Sequence, residues 1–294
     1  MKIFVAGGTG FVGMHLIKEL QKNDHTVRLL VHSRKTLAGE SEQVAGDVTR
    51  LESFSDGAAG CDAIVNLVGI IRETPSRGIT FDKMHVTATA NMLTAARANG
   101  ISRYLQISAL GTRPSAVSAY HQTKWQAEEL VRASTLDWTV FRPSLIYGPH
   151  DAFVNMLAAQ LRLAPVMPVI GSGSYRLQPI HADDVACCFT RALKMPETIG
   201  RTYELCGNDR LSYEALLDII ADVLGKHRPM KPHLPLGLMK LVIPVLQKAP
   251  QFPITTDQLQ MLLEESIGGS EWQEVFGFTA RGLREGIAEY LGKA

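Results

Sequence analysis

The chain has 294 residues, 46% of them hydrophobic, and a formal net charge of +1. That length suits one large domain or one and a half, with enough apolar residue for a substantial core. The balanced charge removes the broad electrostatic case for nucleic acid or an acidic partner, and no stretch supplies the ~20 uninterrupted apolar residues of a membrane span.

Lys2–Ala6 is a short apolar run rich in β-branched and aromatic residues and reads as a buried strand. It is too short, and meets glycine too soon, for a signal peptide. Gly7, Gly10 and Gly13 follow at G-x-x-G-x-x-G spacing, and Met14–Leu20 then carries apolar residues at helical intervals. Strand, glycine turn and helix start is the context that makes a glycine pattern a dinucleotide site. Gly7 allows the tight turn, Gly10 lets backbone approach a pyrophosphate, and Gly13 lets helix and strand pack closely. The diphosphate would rest on free N–H groups at the positive end of the helix dipole.

Thr26–Val31 predicts the second strand. An enzyme of the unphosphorylated dinucleotide would carry a carboxylate near its end to bind the ribose 2′-hydroxyl. Here the chain runs His32, Ser33, Arg34, Lys35, a better match to a 2′-phosphate gripped by Arg34, so NADP(H) is expected and NAD(H) is the alternative. Val44–Val48 and Ala63–Val68 predict further strands, with a short helical piece at Leu51–Ala59 between them. Arg72–Gly78 is polar, carries Pro75 and predicts a mobile loop beside the ligand. Ile79–Asn99 has helical spacing and ends at Gly100, a good C-cap, before the strand Arg103–Ile107.

Ser118 is a candidate N-cap for a helix running to about Ala133. Tyr120 and Lys124 stand four residues apart on one face of it. A nearby cation favours a phenolate, so Lys124 is expected to lower the Tyr120 pKa and fit it for proton transfer while hydride moves to or from a nicotinamide. Trp138–Arg142 predicts a sixth strand, and Pro143–Pro149 a turn-rich exit from the sheet. Gln178–His181 is extended, and Ala182–Leu193 is helical with Asp183 and Asp184 in its first turn. These acids with His181 complement the helix dipole better than they form a metal site, so no metal is expected. His85 and His121 lie on predicted helices as packed or surface residues, His85 turned toward the cofactor. Thr202–Cys206 predicts a strand, and Ser212–Leu224 a helix stopped by Gly225. Lys226–Pro253 is proline-rich and holds the apolar run Leu234–Leu246 with basic residues around it, which reads as a substrate lid or as a surface for a membrane or partner. Ile254–Glu265 and Gly282–Leu291 predict closing helices. Cys61, Cys187, Cys188 and Cys206 form no C-x-x-C pair and read as reduced, buried thiols of a cytoplasmic protein.

Strands alternating with helices predict an α/β protein: a Rossmann-type doubly wound parallel sheet over residues 1–150 with 176–205 returning to it, and a smaller, mostly helical substrate lobe from 151–175 and 206–294. Together the motifs resemble the short-chain dehydrogenase/reductase superfamily, in its extended and atypical branches. They are the Gly7–Gly13 turn, Asp47, Asn66–Gly69, Tyr120/Lys124, Arg142-Pro143-Ser144 with Tyr147-Gly148-Pro149, and Gln178–Ala186. Within that superfamily the chain looks most like the group that includes the nucleotide-binding accessory subunit of respiratory complex I. Met84-His85-Val86, where sugar epimerases usually carry Asn, and Ile254–Leu263 support that placement.

The resemblance implies that Tyr120 is the acid–base, that Lys124 binds the nicotinamide ribose, and that Asp47 meets adenine. It implies cofactor contacts from Gly7, Thr9, Gly10, Phe11, Val12 and Gly13, from His32, Ser33 and Arg34, and from Asp47 and Val48. Leu67, Val68, Gly69, His85, Ile107, Pro143, Ser144 and Leu145 complete the set. Relatives place Ser or Thr after the fifth strand to bind the reacting oxygen. Here Ser108 is followed by Ala109, which leaves Ser108 as the candidate. The implied function is an oxidoreductase or epimerase-like enzyme acting on a small carbonyl or hydroxyl substrate. The alternative is a weakly active or non-catalytic NADPH-binding subunit of a respiratory or quinone-related assembly, lying at an inner membrane surface through 226–250. A nucleotide-sugar substrate ranks third, supported by Arg176 and Arg201. The oligomeric state is open.

Overall fold

Ile3, Phe4, Val5 and Ala6 are fully buried, and the strand they form, β1 (Lys2–Ala6), lies at the centre of a seven-stranded sheet. The computed structural model describes residues 1–32, 41–247, 249, 252 and 254–292. Two compact units appear: Met1–Pro143 with Asp183–Glu204, and Ser144–Ala182 with Leu205–Ala294.

The first unit runs β1, α1 (Phe11–Lys22), β2 (Thr26–Val31), β3 (Glu42–Ala45), β4 (Ala63–Asn66), α2 (Ala88–Ala98), β5 (Arg103–Ile107), α3 (Ala119–Arg132) and β6 (Asp137–Pro143). After α4 (Phe153–Leu163) of the second unit, α5 (Ala182–Ala192) and β7 (Arg201–Leu205) return to it. The sheet order is β7-β6-β5-β4-β1-β2-β3, and every pairing from β3 through to β6 is parallel. The chain turns from β3 back to β4 across β1, which puts the topological switch point beside β1 and β4, where such sheets bind ligands. Phe4, Ile64, Met92, Tyr104 and Val140 build the core around these strands.

Two arginines fix how the elements meet. Arg103 on β5 donates to the Asp137 carbonyl at 2.6 Å, to Thr139 at 2.9 Å, to the Ala192 carbonyl at 2.7 Å and to Thr198 at 2.8 Å. Arg142 on β6 makes a bidentate pair with Glu128 on α3, at 2.8 and 2.7 Å. Glu128 is fully buried and also pairs with Arg132, while Trp125 lies under the Arg132 guanidinium at 4.6 Å. A buried carboxylate shared by two guanidiniums sets the rotation of α3. The face that turns inward carries Tyr120, Lys124, Ala127, Glu128 and Val131.

The second unit is mostly helical: α4, α6 (Tyr213–Val223), α7 (Leu236–Leu246), α8 (Thr256–Leu263), α9 (Glu271–Phe276) and α10 (Leu283–Leu291). Val154, Leu157, Leu216, Ile220 and Ile287 form its core with Tyr147, whose hydroxyl donates to the Gly282 carbonyl at 3.1 Å.

Several boundaries differ from the sequence reading. The third strand is Glu42–Ala45, so Asp47 lies past its end in a turn. Leu51–Ala59 is two 3₁₀ turns, because Ser53, Ser55, Asp56 and Gly57 form helix poorly and Gly57 lies against Val44, where a Cβ would come within 2.5 Å. Arg72–Gly78 holds a 3₁₀ turn, Pro75–Arg77, closed by paired hydrogen bonds between Thr74 and Ile79 at 2.8 and 3.2 Å. The helix predicted from Ile79 begins as a π-helical turn, Asp82–Thr87, before α2. The Leu234–Leu246 run contains helix α7 despite Pro244, and α4 and α9 went unread. Ser118 caps α3 by accepting from the His121 N–H, as the spacing predicts, and Ser212 caps α6. None of the four cysteines forms a disulfide; Cys61, Cys188 and Cys206 are buried and Cys187 is half-buried.

Candidate functional site

The glycine turn is built by close approach. Gly7 has φ +79°, and a Cβ there would meet the Leu67 carbonyl carbon at 2.8 Å. A Cβ on Gly13 would lie 2.4 Å from the Gly7 oxygen and 2.5 Å from the Gly8 Cα. Gly10 is the N-cap of α1; it offers no side-chain hydrogen bond there, and the helix's first turn holds no acidic residue. Thr9 and Gly10 are exposed, and Phe11 and Val12 are half-buried. The helix therefore presents backbone N–H groups to the surface at its positive end, as an anion site requires.

Asn66 shapes the next strand end. Its Oδ1 accepts from the Val68 N–H at 3.1 Å, and its amide donates to Gln106 at 3.0 Å, Tyr104 at 3.2 Å and Thr89 at 3.3 Å. The four side chains are buried, so this network fixes the path of Leu67–Gly69, which leaves β4 beside the glycine turn. Asp47 accepts from the Thr49 N–H at 2.9 Å and hydroxyl at 2.7 Å. Burial acts to raise its pKa, but those two bonds and the charges of His32 and Arg50 hold the carboxyl below its ordinary range. Val48 is tied to α2 through its carbonyl, which accepts from Asn91 at 3.0 Å. His32 is exposed at the end of β2, while Ser33, Arg34 and Lys35 lie outside the described residues.

Tyr120 and Lys124 are both buried, at 8% and 3% exposure. Lys124 Nζ donates to the Val68 and Ile107 carbonyls at 3.4 and 3.5 Å, long contacts that leave the ammonium weakly held. Gly69 lies directly against it: a Cβ there would come within 2.9 Å of Nζ. Three rings hold Tyr120 edge-on, with centroids at 5.8 Å for Phe81, 5.3 Å for His85 and 5.2 Å for His121. Here the sequence expectation is overturned. Burial pushes the Tyr120 phenol up to about 12, and burial pushes Lys124 down to about 8 despite the Glu128 charge. Both groups have lost water, and the ammonium is directed at carbonyls, so desolvation outweighs any help from Lys124.

Ser108 is buried, and its hydroxyl donates to Thr112 at 3.4 Å, so the structure does not join it to Tyr120 by a hydrogen bond. Pro143 ends β6 and its carbonyl accepts from the Leu110 N–H at 2.9 Å. Ser144 and Leu145 belong to the second unit, where the Ser144 hydroxyl donates to the Gln178 carbonyl and the Leu145 carbonyl accepts from Ile180. Arg176 is engaged by Glu265 in a bidentate pair at 2.8 Å. An open cavity of about 730 Å³ within the second unit is lined by Gln178, Asn208, Arg210 and Gln273, whose polar groups already bond neighbouring backbone or each other. Among the described residues no group of His, Cys, Asp and Glu could hold a metal, and Asp183 bonds to His15 at 2.5 Å.

His85, read from the sequence as a packed or surface residue turned toward the cofactor, is packed beside Lys124 and Gly69. It is 1% exposed, and burial with the neighbouring Lys124 charge pushes it down to about 2, so its imidazole is neutral. It lies in the π-helical turn Asp82–Thr87.

Residues 3–206 match the profile of the NAD dependent epimerase/dehydratase family. The chain belongs to that family. The fold is similar to that of a solved structure described as MoeE5 in complex with UDP-glucuronic acid and NAD, with TM-score 0.76 at 22% identity over 98% of this chain and 97% of that one. A relative from Arabidopsis thaliana, NADH dehydrogenase [ubiquinone] 1 alpha subcomplex subunit 9, mitochondrial, is 30% identical over 87% of this chain and 66% of its own length. A ceramide reductase from Caulobacter vibrioides is 30% identical over 66% of this chain and 63% of its own. The chain thus spans about two thirds of the length of these two relatives. The family's dinucleotide fits the residues present: the Gly7–Gly13 cradle, closed to any Cβ at Gly7 and Gly13, and the uncapped N-terminus of α1 are a diphosphate site in form.

Proposed function

We propose that the chain binds NADP(H) across the Gly7–Gly13 turn and reduces the carbonyl of a small-molecule substrate, with Tyr120 as proton donor. The observation that carries this reading is the convergence of Tyr120, Lys124 and Gly69 at the carboxyl ends of β4 and β5. A nicotinamide cofactor would supply hydride there. Tyr120, pushed up to about 12, holds its proton throughout the neutral range and is set to give it to a carbonyl oxygen. Lys124, with only long hydrogen bonds of its own, has donors to spare for ribose hydroxyls. His32-Ser33-Arg34-Lys35, without a carboxylate, supports the phosphorylated cofactor. The ceramide reductase among the relatives agrees with reduction as the direction. Mass spectrometry of ligand retained by the purified chain tests the reading, alongside titration with both cofactors. NADPH is expected to bind at least about tenfold more tightly than NADH, the value of one well-placed phosphate contact; equal or reversed affinities would remove the case for Arg34.

A second reading rests on α7, whose exposed face carries Leu238, Leu241 and Val245 at 54%, 76% and 65% exposure, with Lys240 the sole charge on the helix. On this reading the chain is an NADPH-binding subunit lying against a membrane or a respiratory assembly, in keeping with the plant relative's name. No helix among the described residues is long and apolar enough to cross a membrane, so contact would be peripheral. The chain is then expected to float with anionic liposomes at low salt, and to lose that association on Leu241→Glu; no flotation at low salt would sink the membrane arm.

A further inference from the structure

We infer that His85 is a positioning residue of the dinucleotide site: held by Thr123 on one ring nitrogen, it holds the Ile70 N–H with the other, and so locks the Gly69–Ile70 turn to the Tyr120–Lys124 face of α3. The inference rests on the proposed cofactor site and adds to it a residue with a defined task.

The tautomer follows from the hydrogen bonds. The Thr123 hydroxyl donates to the backbone carbonyls of Ala119 at 2.8 Å and Tyr120 at 3.0 Å. With its proton on either carbonyl, the Thr123 oxygen is left to accept from His85 Nδ1, 2.9 Å away. The Ile70 N–H points at His85 Nε2 from 3.3 Å, which requires a bare lone pair there. Both demands select the neutral ring with its proton on Nδ1. The ring thus carries a hydrogen-bonded link from a helix to a turn that lies far away in sequence.

The link sits where it governs the site. Val68, one of the two carbonyl acceptors of Lys124, belongs to the same turn. A Cβ placed on Gly69 would come within 2.9 Å of Lys124 Nζ and 3.7 Å of His85 Nε2, so ammonium, imidazole and glycine meet at one point. The His85 ring also stands edge-on to Tyr120 at 5.3 Å and stacks on Phe81 at 5.4 Å. The π-helical turn Asp82–Thr87 is what carries His85 inward, and such turns persist where a side chain has a task that offsets their poorer hydrogen bonding.

The test uses the full chain with ¹⁵N-labelled imidazoles, the His85 signal being the one lost in His85→Gln. At pH 6 the ring is expected to be neutral and protonated on Nδ1, and Thr123→Val is expected to release that preference. NADPH affinity, followed by the cofactor's fluorescence, should fall about 3- to 10-fold in Thr123→Val, the value of one hydrogen bond. His85→Leu should weaken it further, and His85→Gln, whose amide oxygen can still accept from Ile70, should restore part of the loss. Melting temperatures measured on the same samples separate this from general unfolding, and Thr123→Val stands in should a His85 variant fail to fold. A charged ring or an Nε2-protonated ring at pH 6 would overturn the inference, as would unchanged NADPH affinity in Thr123→Val and His85→Leu. If the parent chain itself takes up no NADPH while the ring shows the expected tautomer, the cofactor reading has failed, and His85 is then a purely structural link.

Discussion

Tyr120→Phe is expected to cut carbonyl reduction by about 10²- to 10⁴-fold, the usual contribution of a positioned general acid, while leaving NADPH affinity within about twofold. The selectivity of the effect follows from the packing. Phe81, His85 and His121 hold the Tyr120 ring by its edges, and phenylalanine keeps every one of those contacts. Only the hydroxyl goes. The pH dependence has a definite sign. The donor form is the protonated phenol, which burial stabilises up to about 12, so Tyr120 gives no fall in the rate of reduction from pH 6 to pH 9, and a fall near pH 8 would belong to Lys124, which burial pushes down to about 8. Alcohol oxidation needs the phenolate and should climb with pH over the same range. NADPH consumption with a panel of alkyl ketones and nucleotide-linked ketosugars measures the first, and NADPH formation from NADP⁺ and the corresponding alcohols measures the second. Turnover by the Phe variant within threefold of the parent would remove Tyr120 from the chemistry; the subunit reading takes its place only if the parent itself turns over none of these substrates.

Gly13→Ala is expected to remove most nucleotide binding and to lower stability together. An added Cβ would lie 2.4 Å from the Gly7 oxygen and 2.5 Å from the Gly8 Cα, and backbone on both sides has nowhere to go. Overpacking of this kind costs about 1–3 kcal/mol. Relieving it means moving the turn that would hold the diphosphate, so the same energy should appear as roughly 5- to 150-fold weaker NADPH binding. Gly60→Ala is the control. Gly60 also has a positive φ, +71°, but a Cβ there meets nothing within 4 Å. It should cost about 1 kcal/mol of stability through its backbone angle and leave NADPH affinity unchanged. Thermal melts with and without NADPH separate the two effects. Normal affinity in Gly13→Ala would mean that the dinucleotide lies elsewhere.

Most of the sheet was legible in the sequence because buried parallel strands are continuous apolar runs, and Lys2–Ala6, Thr26–Val31 and Arg103–Ile107 stand where those runs stand. The glycine turn was legible for a related reason: close backbone approach leaves a mark at fixed spacing. Helices with side-chain caps, such as those after Ser118 and Ser212, were equally plain. Three kinds of feature escaped. Helix α4 begins after Ala152, and the side chain that accepts from its first turn, Asp151 to the Val154 N–H at 2.6 Å, lies one residue upstream in a turn-rich stretch, so the usual cap position carried no signal. Helix α7 holds Pro244 and begins after Pro235, and a proline inside a run is no signal of a helix. The protonation of Tyr120 was misjudged because spacing gives proximity to Lys124 but says nothing of the water both lose when α3 packs down.

The insertion of the second unit between β6 and α5 has a consequence for how the polypeptide is made. While it emerges from the ribosome, the first 143 residues already contain six of the sheet's seven strands, yet β6 has no outer neighbour until Arg201–Leu205 appears. Through that interval Arg103 lacks the Ala192 carbonyl and the Thr198 hydroxyl, two of its four acceptors. The nascent sheet carries an open edge beside an under-satisfied guanidinium, the state in which translating chains recruit chaperones or pair with one another.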